Sequence, residues 1–544
     1  METKGVDGPT SLDDVIQEVG ACGPFQGLLL LLVHSTILAL VGGMMMMAFG
    51  SYNPGWECLD VVPMDDNLTT VSNSGSQLLN QSYPDNITDR CVLHSKCTNV
   101  SFSSESSTVA TEWGLVCEHA WALKVILTVQ MVGVLLGAYI VGHIGDYFGR
   151  KAGLYIMVGL HGVSNLIATF SPSWQVFAAI RFFIGVAAGG IISPAYVFPP
   201  EFTNQFWRGV INAIPTWSIS ASLLSLFVML LKDWRQLHLL YAVLSCLVLL
   251  PIFWVPESFR WLAVHGQDKK ATDVAMRIAR LNKRPQPSLE LLVDVAESER
   301  RRASAERSQR YTYFDLFKNT FLRKPTSVLS FVWLSLSVGY FGISFNVQAL
   351  SGNFYINFMI LSVLEVPGII FSLPTNSFAP RRFGAGINLV IVSIACFGIT
   401  ITSLSMDSTV GNDTTNNNTV RASIILALAV VAKLGILCAW NVITVYSLEL
   451  YPTVVRNQGF SFLNAAARMG SLVGPVLFPQ DPAHFYLAMI VLGMMTLISA
   501  GLLLLLQETK GSPMEDMFRS ISPPNVDSIS GGNALIASQG GTEV

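Results

Sequence analysis

The chain has 544 residues, of which 51% are hydrophobic and 13% charged, with a formal net charge of −3 and a mean hydropathy of +0.49. That composition excludes a soluble globular domain and describes a protein that crosses a membrane many times. A charge so near zero carries little meaning until the charged residues are placed along the chain.

Residues 1–24 are polar and acidic and contain no cleavable signal sequence, so they are expected to stay in the cytosol. A span needs about 20 mainly apolar residues. Twelve runs meet that need, near 25–49, 122–142, 152–170, 174–198, 210–231, 237–255, 327–347, 354–375, 386–405, 422–445, 457–478 and 484–506. The expected fold is an all-α membrane protein of two six-helix halves, 25–255 and 327–506. A cytosolic linker over 256–326 joins them, and the tail over 507–544 is expected to be disordered at its end. Most of the 33 lysines and arginines fall on the side of the two termini. The linker carries much of that bias, and the short loops agree with it.

The long loop over 50–121 is expected outside the cell. It holds glycosylation acceptors at Asn67, Asn80, Asn86 and Asn99, and a second cluster at Asn412 and Asn417 lies between spans nine and ten. The loop also holds Cys58, Cys91, Cys97 and Cys117, an even number in an oxidising space. Two disulfides are expected there, with three possible connectivities.

Short charged connectors repeat between the halves. "EFTNQFWRG" after span four holds Glu201 and Arg208, and "ELYPTVVRNQG" after span ten holds Glu449 and Arg456 at the same separation. Glu257 in "PESFRWL" and Glu508 in "QETKG" close the two halves. "GHIGDYFGRK", residues 142–151, places Asp146 and Arg150 between spans two and three and is echoed by "FAPRRFGAG", which lacks the acid. A parallel repeat of six spans is the pattern of one class of secondary transporters. Asp146, Arg150, Glu201, Arg208, Glu257, Glu449 and Arg456 are therefore expected to form a cytosolic gate. Partly exposed ion pairs suit a gate because each is worth only ~1 kcal/mol and can be broken on every cycle.

"GHIGDYFGRK" resembles the loop signature of the major facilitator superfamily. More narrowly, "STVATEWGLVCEHAW", "PESFRWL", "LSGNFYINFMILSVLEVPG" and "LELYPTVVRNQG" resemble the organic cation, organic anion and carnitine transporter family. The resemblance runs from about residue 12 to 518. It implies a facilitator fold that carries small organic ions by alternating access, at the plasma membrane with both termini cytosolic. It departs at "FAPRRFGAG" and at Gln507.

Charge at membrane mid-depth is costly and marks a pathway. Glu365, Lys433 and Arg468 each stand near the middle of a span, and Trp333 and Tyr340 lie a heptad apart on span seven. The resemblance implies that Trp333, Tyr340, Glu365 and Arg468 look into a central cavity, where aromatic faces hold flat or cationic solutes. Glu365 has a second reading as the buried partner of Lys433 or Arg468, and Trp333 and Tyr340 have one as packing residues. Arg181, His34 and His161 read as braces between helices, and "VGVLLGAYIVG" and "GVAAGG" as close-packing glycine patterns. No metal-ligand spacing and no nucleophile motif is present, so no enzyme and no cofactor is expected. The expected partners are the bilayer, a small organic ion and a co-transported or exchanged ion, with no nucleic acid. Members of the resembled family that carry anions or carnitine place arginine where this chain has Arg468. An organic anion or carnitine-like zwitterion therefore ranks ahead of an organic cation, with a non-transporting sensor as the remote alternative.

Overall fold

The computed structural model describes residues 12–61, 91, 97–308, 313–350, 352–370, 379–405, 414–452, 455–478 and 485–510. Twelve long helices lie among them. The first half contains α1 (Pro24–Gly50), α2 (Trp121–Tyr147), α3 (Arg150–Thr169), α4 (Trp174–Val197), α5 (Thr216–Leu231) and α6 (Trp234–Leu249). The second contains α7 (Thr320–Phe345), α8 (Phe354–Ile370), α9 (Arg381–Leu404), α10 (Thr414–Leu450), α11 (Arg456–Leu477) and α12 (Phe485–Leu503). Local chemistry sets many of the starts. Ser173, Asp233, Asn319 and Asn353 each accept a backbone N–H in the first turn that follows. A break at Ile214–Pro215 separates α5 from a shorter helix, Gln205–Ala213.

Nine of the spans are long and apolar enough to cross a membrane on composition alone, and α5 and α8 are shorter apolar helices. The twelfth, α11, is amphipathic: Ser461, Asn464, Arg468 and Ser471 recur at helical spacing and form one polar stripe. A helix with such a stripe belongs inside a bundle, facing polar company.

The repeat of six spans shows in the packing. In the first half α1 meets α4, α5 and α6, while α3 meets α4 and α6. In the second, α7 meets α10, α11 and α12, while α9 meets α10 and α12. Across the halves α2 packs on α11 and α5 on α8, two contacts that the repeat makes equivalent. Gly133 and Gly137 of α2 face Gly185 and Gly189 of α4, and a Cβ on any of them would collide with the opposite backbone. The glycine patterns are thus a backbone-to-backbone crossing.

Between α6 and α7, helices Phe259–Val264, Asp268–Leu281 and Leu289–Ser308 pack together. Asn282 ties this linker to the start of α1, donating to Val19 O, Gly20 O and Gln26 Oε1 and accepting from Phe25 N. At the opposite end the long loop contributes an antiparallel pair, β1 (Trp56–Val61) and β2 (Cys97–Phe102). Cys91 is bonded to Cys117, and Cys58 also stands in a disulfide. Cys22, Cys246, Cys396 and Cys438 are free. Asn67, Asn80, Asn86 and Asn412 lie outside the described residues, as do the side chains of Cys97, Asn99 and Asn417.

The Cys91–Cys117 bond makes a direct test of sidedness. A membrane-impermeant maleimide applied to intact cells should label Cys117→Ser, in which Cys91 is left as a thiol, and should label the unaltered chain only after reduction. Equal labelling of both proteins without reductant would show that the bond does not form.

Candidate functional site

Glu365 of α8 and Lys433 of α10 meet at mid-height in the second half, with Lys433 Nζ 2.7 Å from Glu365 Oε1 and both side chains almost wholly buried. Tyr340 of α7 donates its hydroxyl to the same carboxylate at 3.3 and 3.4 Å. Lys433 Nζ also lies 5.5 Å from the centre of the Tyr340 ring. Trp217 of α5, in the other half, donates its indole N–H to the Tyr340 hydroxyl at 2.6 Å. A chain of polar contacts therefore runs from α10 through α8 and α7 into the first half. A carboxylate so buried needs its ammonium partner and hydrogen-bond donor, because an unpaired charge there loses several kcal/mol of solvation.

Arg468 stands apart from that pair. Its side chain is half-buried on the polar stripe of α11, and among the described residues it has no carboxylate partner. The ionisable group it senses is the phenol of Tyr196, on α4 of the first half, which is 43% exposed. Tyr196 also lies within electrostatic reach of Tyr340. Of the sequence candidates, the structure thus brings together Glu365, Lys433 and Tyr340, while Arg468 stands apart on α11. Trp333 does not join them. It is 2% exposed, its indole N–H donates to Ser447, and it packs edge-on against Trp440 and Phe460 of its own half. That is the packing place weighed in the sequence. Tyr196 and Trp217 are additions that no charge or motif flagged.

The described connector residues make the following contacts. Glu257 accepts from the backbone N–H of Lys151 at 3.1 Å and so caps α3. Glu508 does the same for α9, accepting from Arg381 N at 2.7 Å and Arg382 N at 3.2 Å. Glu449 receives Arg381 in a two-pronged pair at 3.0 and 3.2 Å and also accepts from Thr509. Glu201 hydrogen-bonds Ser258, with Arg150 among its nearest cations. Arg208 donates to Pro200 O and Arg456 to Tyr451 O. Each of these contacts stays inside one half, because the sixth and twelfth helices of the repeat end beside the starts of the third and ninth. The Asp146 side chain lies outside the described residues.

Contacts that join the halves gather from mid-height toward the end that carries the long loop. Tyr52 stacks on Phe354 at 4.1 Å, Gln348 Oε1 accepts from Asn53 N, Ser222 donates to Ser362 O, and Lys232 lies 5.4 Å from the Tyr355 ring centre. Burial, with Tyr355 and Glu105 nearby, pushes the Tyr52 phenol up.

Arg181 of α4 and His161 of α3 take the bracing roles read from the sequence. Arg181, fully buried, donates to Gly43 O and Met44 O of α1 and to Gln130 of α2. His161 hydrogen-bonds Ser245 of α6 at 2.9 Å.

The model of the sugar (and other) transporter family matches residues 88–520 of this chain. The chain is 28% identical over 538 residues to the organic cation/carnitine transporter 2 of Mus musculus, covering 93% of this chain and 92% of that protein. It is 25% identical over 528 residues to organic anion transporter 3 of the same organism, covering 94% of each. Among solved structures, the inward-open xylose transporter XylE from E. coli superposes with a TM-score of 0.59 at 15% identity, over 89% of this chain and 98% of that one.

The buried pair makes a stability test. Lys433→Met leaves the Glu365 carboxylate unpaired and should destabilise the purified protein by about 3–5 kcal/mol. Adding Glu365→Gln should restore most of the lost melting temperature. If the double variant shows the summed loss of the two single variants, the residues are not coupled and the pairing is refuted.

Proposed function

The chain belongs to the sugar (and other) transporter family of the major facilitator superfamily, and from that premise we propose that this carrier of small organic ions takes organic anions, carboxylate-bearing zwitterions included. The observation that carries the reading is the division of charge at the site. Glu365 is committed to Lys433, whereas Arg468 keeps a guanidinium at mid-membrane beside the exposed ring of Tyr196. A guanidinium there holds its proton and seeks an acceptor, and a carboxylate or sulfate fits its fork with two parallel hydrogen bonds. Tyr196 and Trp217, brought from the first half, offer aromatic faces to the rest of the solute.

On this reading the linker face is cytosolic and the loop face external, in the plasma membrane. The two halves rock about the central site, each moving as a body held by its own caps at Glu257 and Glu508. The aromatic plug around Tyr52 and Phe354 closes the external side. Solute entering beside Arg468 contacts both halves at once, through Tyr196 on one and α11 on the other, so binding is felt by both. Organic cation transport, which the name of one relative suggests, would require Glu365 to leave Lys433 and accept the solute instead.

Arg468→Asp at matched surface expression separates these readings. Uptake of a carboxylate probe should fall about tenfold or more, since a hydrogen bond to a charged group contributes ~1.5–3 kcal/mol. A quaternary-ammonium probe run alongside should not lose uptake. Carboxylate uptake that survives unchanged, or an unaltered chain that takes up only cations, would overturn the assignment.

A further inference from the structure

A groove on the outer wall of the first half takes no part in the transport reading. It lies between α1 and α6 and holds about 380 Å³. Its walls are Leu28, Leu31 and Leu38 of α1, Leu244 and Leu247 of α6, and Trp254 just beyond α6. Leu28, Leu31 and Leu247 are exposed, so the groove opens on the side that meets lipid. Ser35 brings the one hydroxyl into the lining, and it is spent on the Leu31 carbonyl at 2.8 Å. The walls therefore offer hydrocarbon to whatever lies between them. From Leu28 to Leu38 the groove runs about 15 Å at 1.5 Å per residue, half of a hydrocarbon core of ~30 Å. That is the depth of one leaflet.

The linker end of the groove is basic. Helix Asp268–Leu281 closes in a Schellman turn, with Arg284 N donating to Ala279 O and Lys283 N to Arg280 O, and Lys283 takes a φ of +54° where glycine is usual. Asn282 fastens that turn to the start of α1, accepting from Phe25 N at 3.1 Å, and the Phe25 ring lies 5.6 Å from that of Trp254. Of the charged residues over 15–24 and 280–288, Arg280, Lys283 and Arg284 are basic and Glu18 is acidic, all four exposed. An apolar slot one leaflet deep thus ends beside an excess of exposed positive charge.

We propose that this groove binds an anionic phospholipid of the leaflet on the linker side, which the proposed sidedness makes cytosolic. One acyl chain lies between α1 and α6, and Lys283 and Arg284 hold the phosphate. A chain on the convex wall of a span touches one helix, whereas a chain in the groove makes dispersion contacts along two. Basic residues at the cytosolic surface attract anionic headgroups while staying hydrated, and the indole of Trp254 suits the headgroup level. The Asn282 clamp then has a use beyond packing, since it holds the two cations at the mouth of the slot.

The test uses the purified full-length protein in phosphatidylcholine nanodiscs doped with phosphatidylglycerol that carries a diazirine in one acyl chain. After illumination, mass spectrometry should place adducts within 24–38 and 244–254. The matching phosphatidylcholine probe should label those peptides about tenfold less. Lys283→Gln combined with Arg284→Gln should bring the anionic probe down to that level. Leu31→Trp combined with Leu247→Trp, at positions that already face lipid, should fill the groove and remove the adducts there while labelling elsewhere persists. Both variants are first matched to the unaltered chain in melting temperature without added lipid. Equal labelling by the two probes, or anionic labelling that the glutamine variant keeps, would overturn the headgroup assignment. Adducts spread evenly over the membrane-facing helices, or retained in the tryptophan variant, would overturn the groove. In detergent, phosphatidylglycerol should raise the melting temperature and glycerol 3-phosphate should not; an equal rise with both would refute a lipid and point to a soluble phosphate. None of these outcomes depends on which solute is carried.

Discussion

A charge inside a membrane protein must be answered by another charge, a dipole or a ligand, and the Glu365–Lys433 pair shows what that constraint decides. At 2.7 Å, almost wholly buried, it is settled within the second half. Because the one described carboxylate at this depth is spent on the lysine, it is withdrawn from Arg468 twelve residues into α11. The arginine then needs polar space or a solute, and its neighbour from the other half is a phenol rather than an acid. The same pair positions Tyr340, whose hydroxyl reaches across to Trp217. One ion pair thus sets the charge of the site and its contact with the opposite half.

The backbone obeys the same rule at the helix ends. The first N–H groups of α3 and α9 would be left without acceptors beneath a tight turn, and in each half a glutamate from the end of the sixth helix reaches them. Gly149, with φ of +112°, leaves room for the Glu257 carboxylate where a Cβ would strike it. Each of these caps joins elements of one half.

Much of this was legible in the sequence where the signal is local. Spans, linker and repeat follow from apolar runs and from connectors such as Glu201–Arg208 and Glu449–Arg456, and depth counting put Glu365, Lys433 and Arg468 on one level. The choice among partners was not legible, because Glu365 had two cations within the same arithmetic and only the packing of α8 on α10 selects one. Trp333 and Tyr340 share a face by heptad spacing, yet one is packed among aromatics and the other bonds the carboxylate, a difference of neighbours. Tyr196 and Trp217 carry no charge, so nothing in the chain set them apart from interfacial anchors. Which helix each glutamate caps was not legible for a related reason: Glu508 and Arg381 lie 127 residues apart, and their contact follows only from which helices stand side by side.

The repeat also places one buried cation in each half. Arg181 in α4 and Lys433 in α10 occupy corresponding helices, and each is the buried cation of its half. Lys433 is answered by α8 with a carboxylate and by α7 with the face of Tyr340. Arg181 is answered by the corresponding α2 and α1, but with the Gln130 amide and two backbone carbonyls. Neutral dipoles satisfy the hydrogen bonds of a guanidinium without cancelling its charge. The charge of Arg181 is thus kept in the first half, whereas that of Lys433 is neutralised in the second.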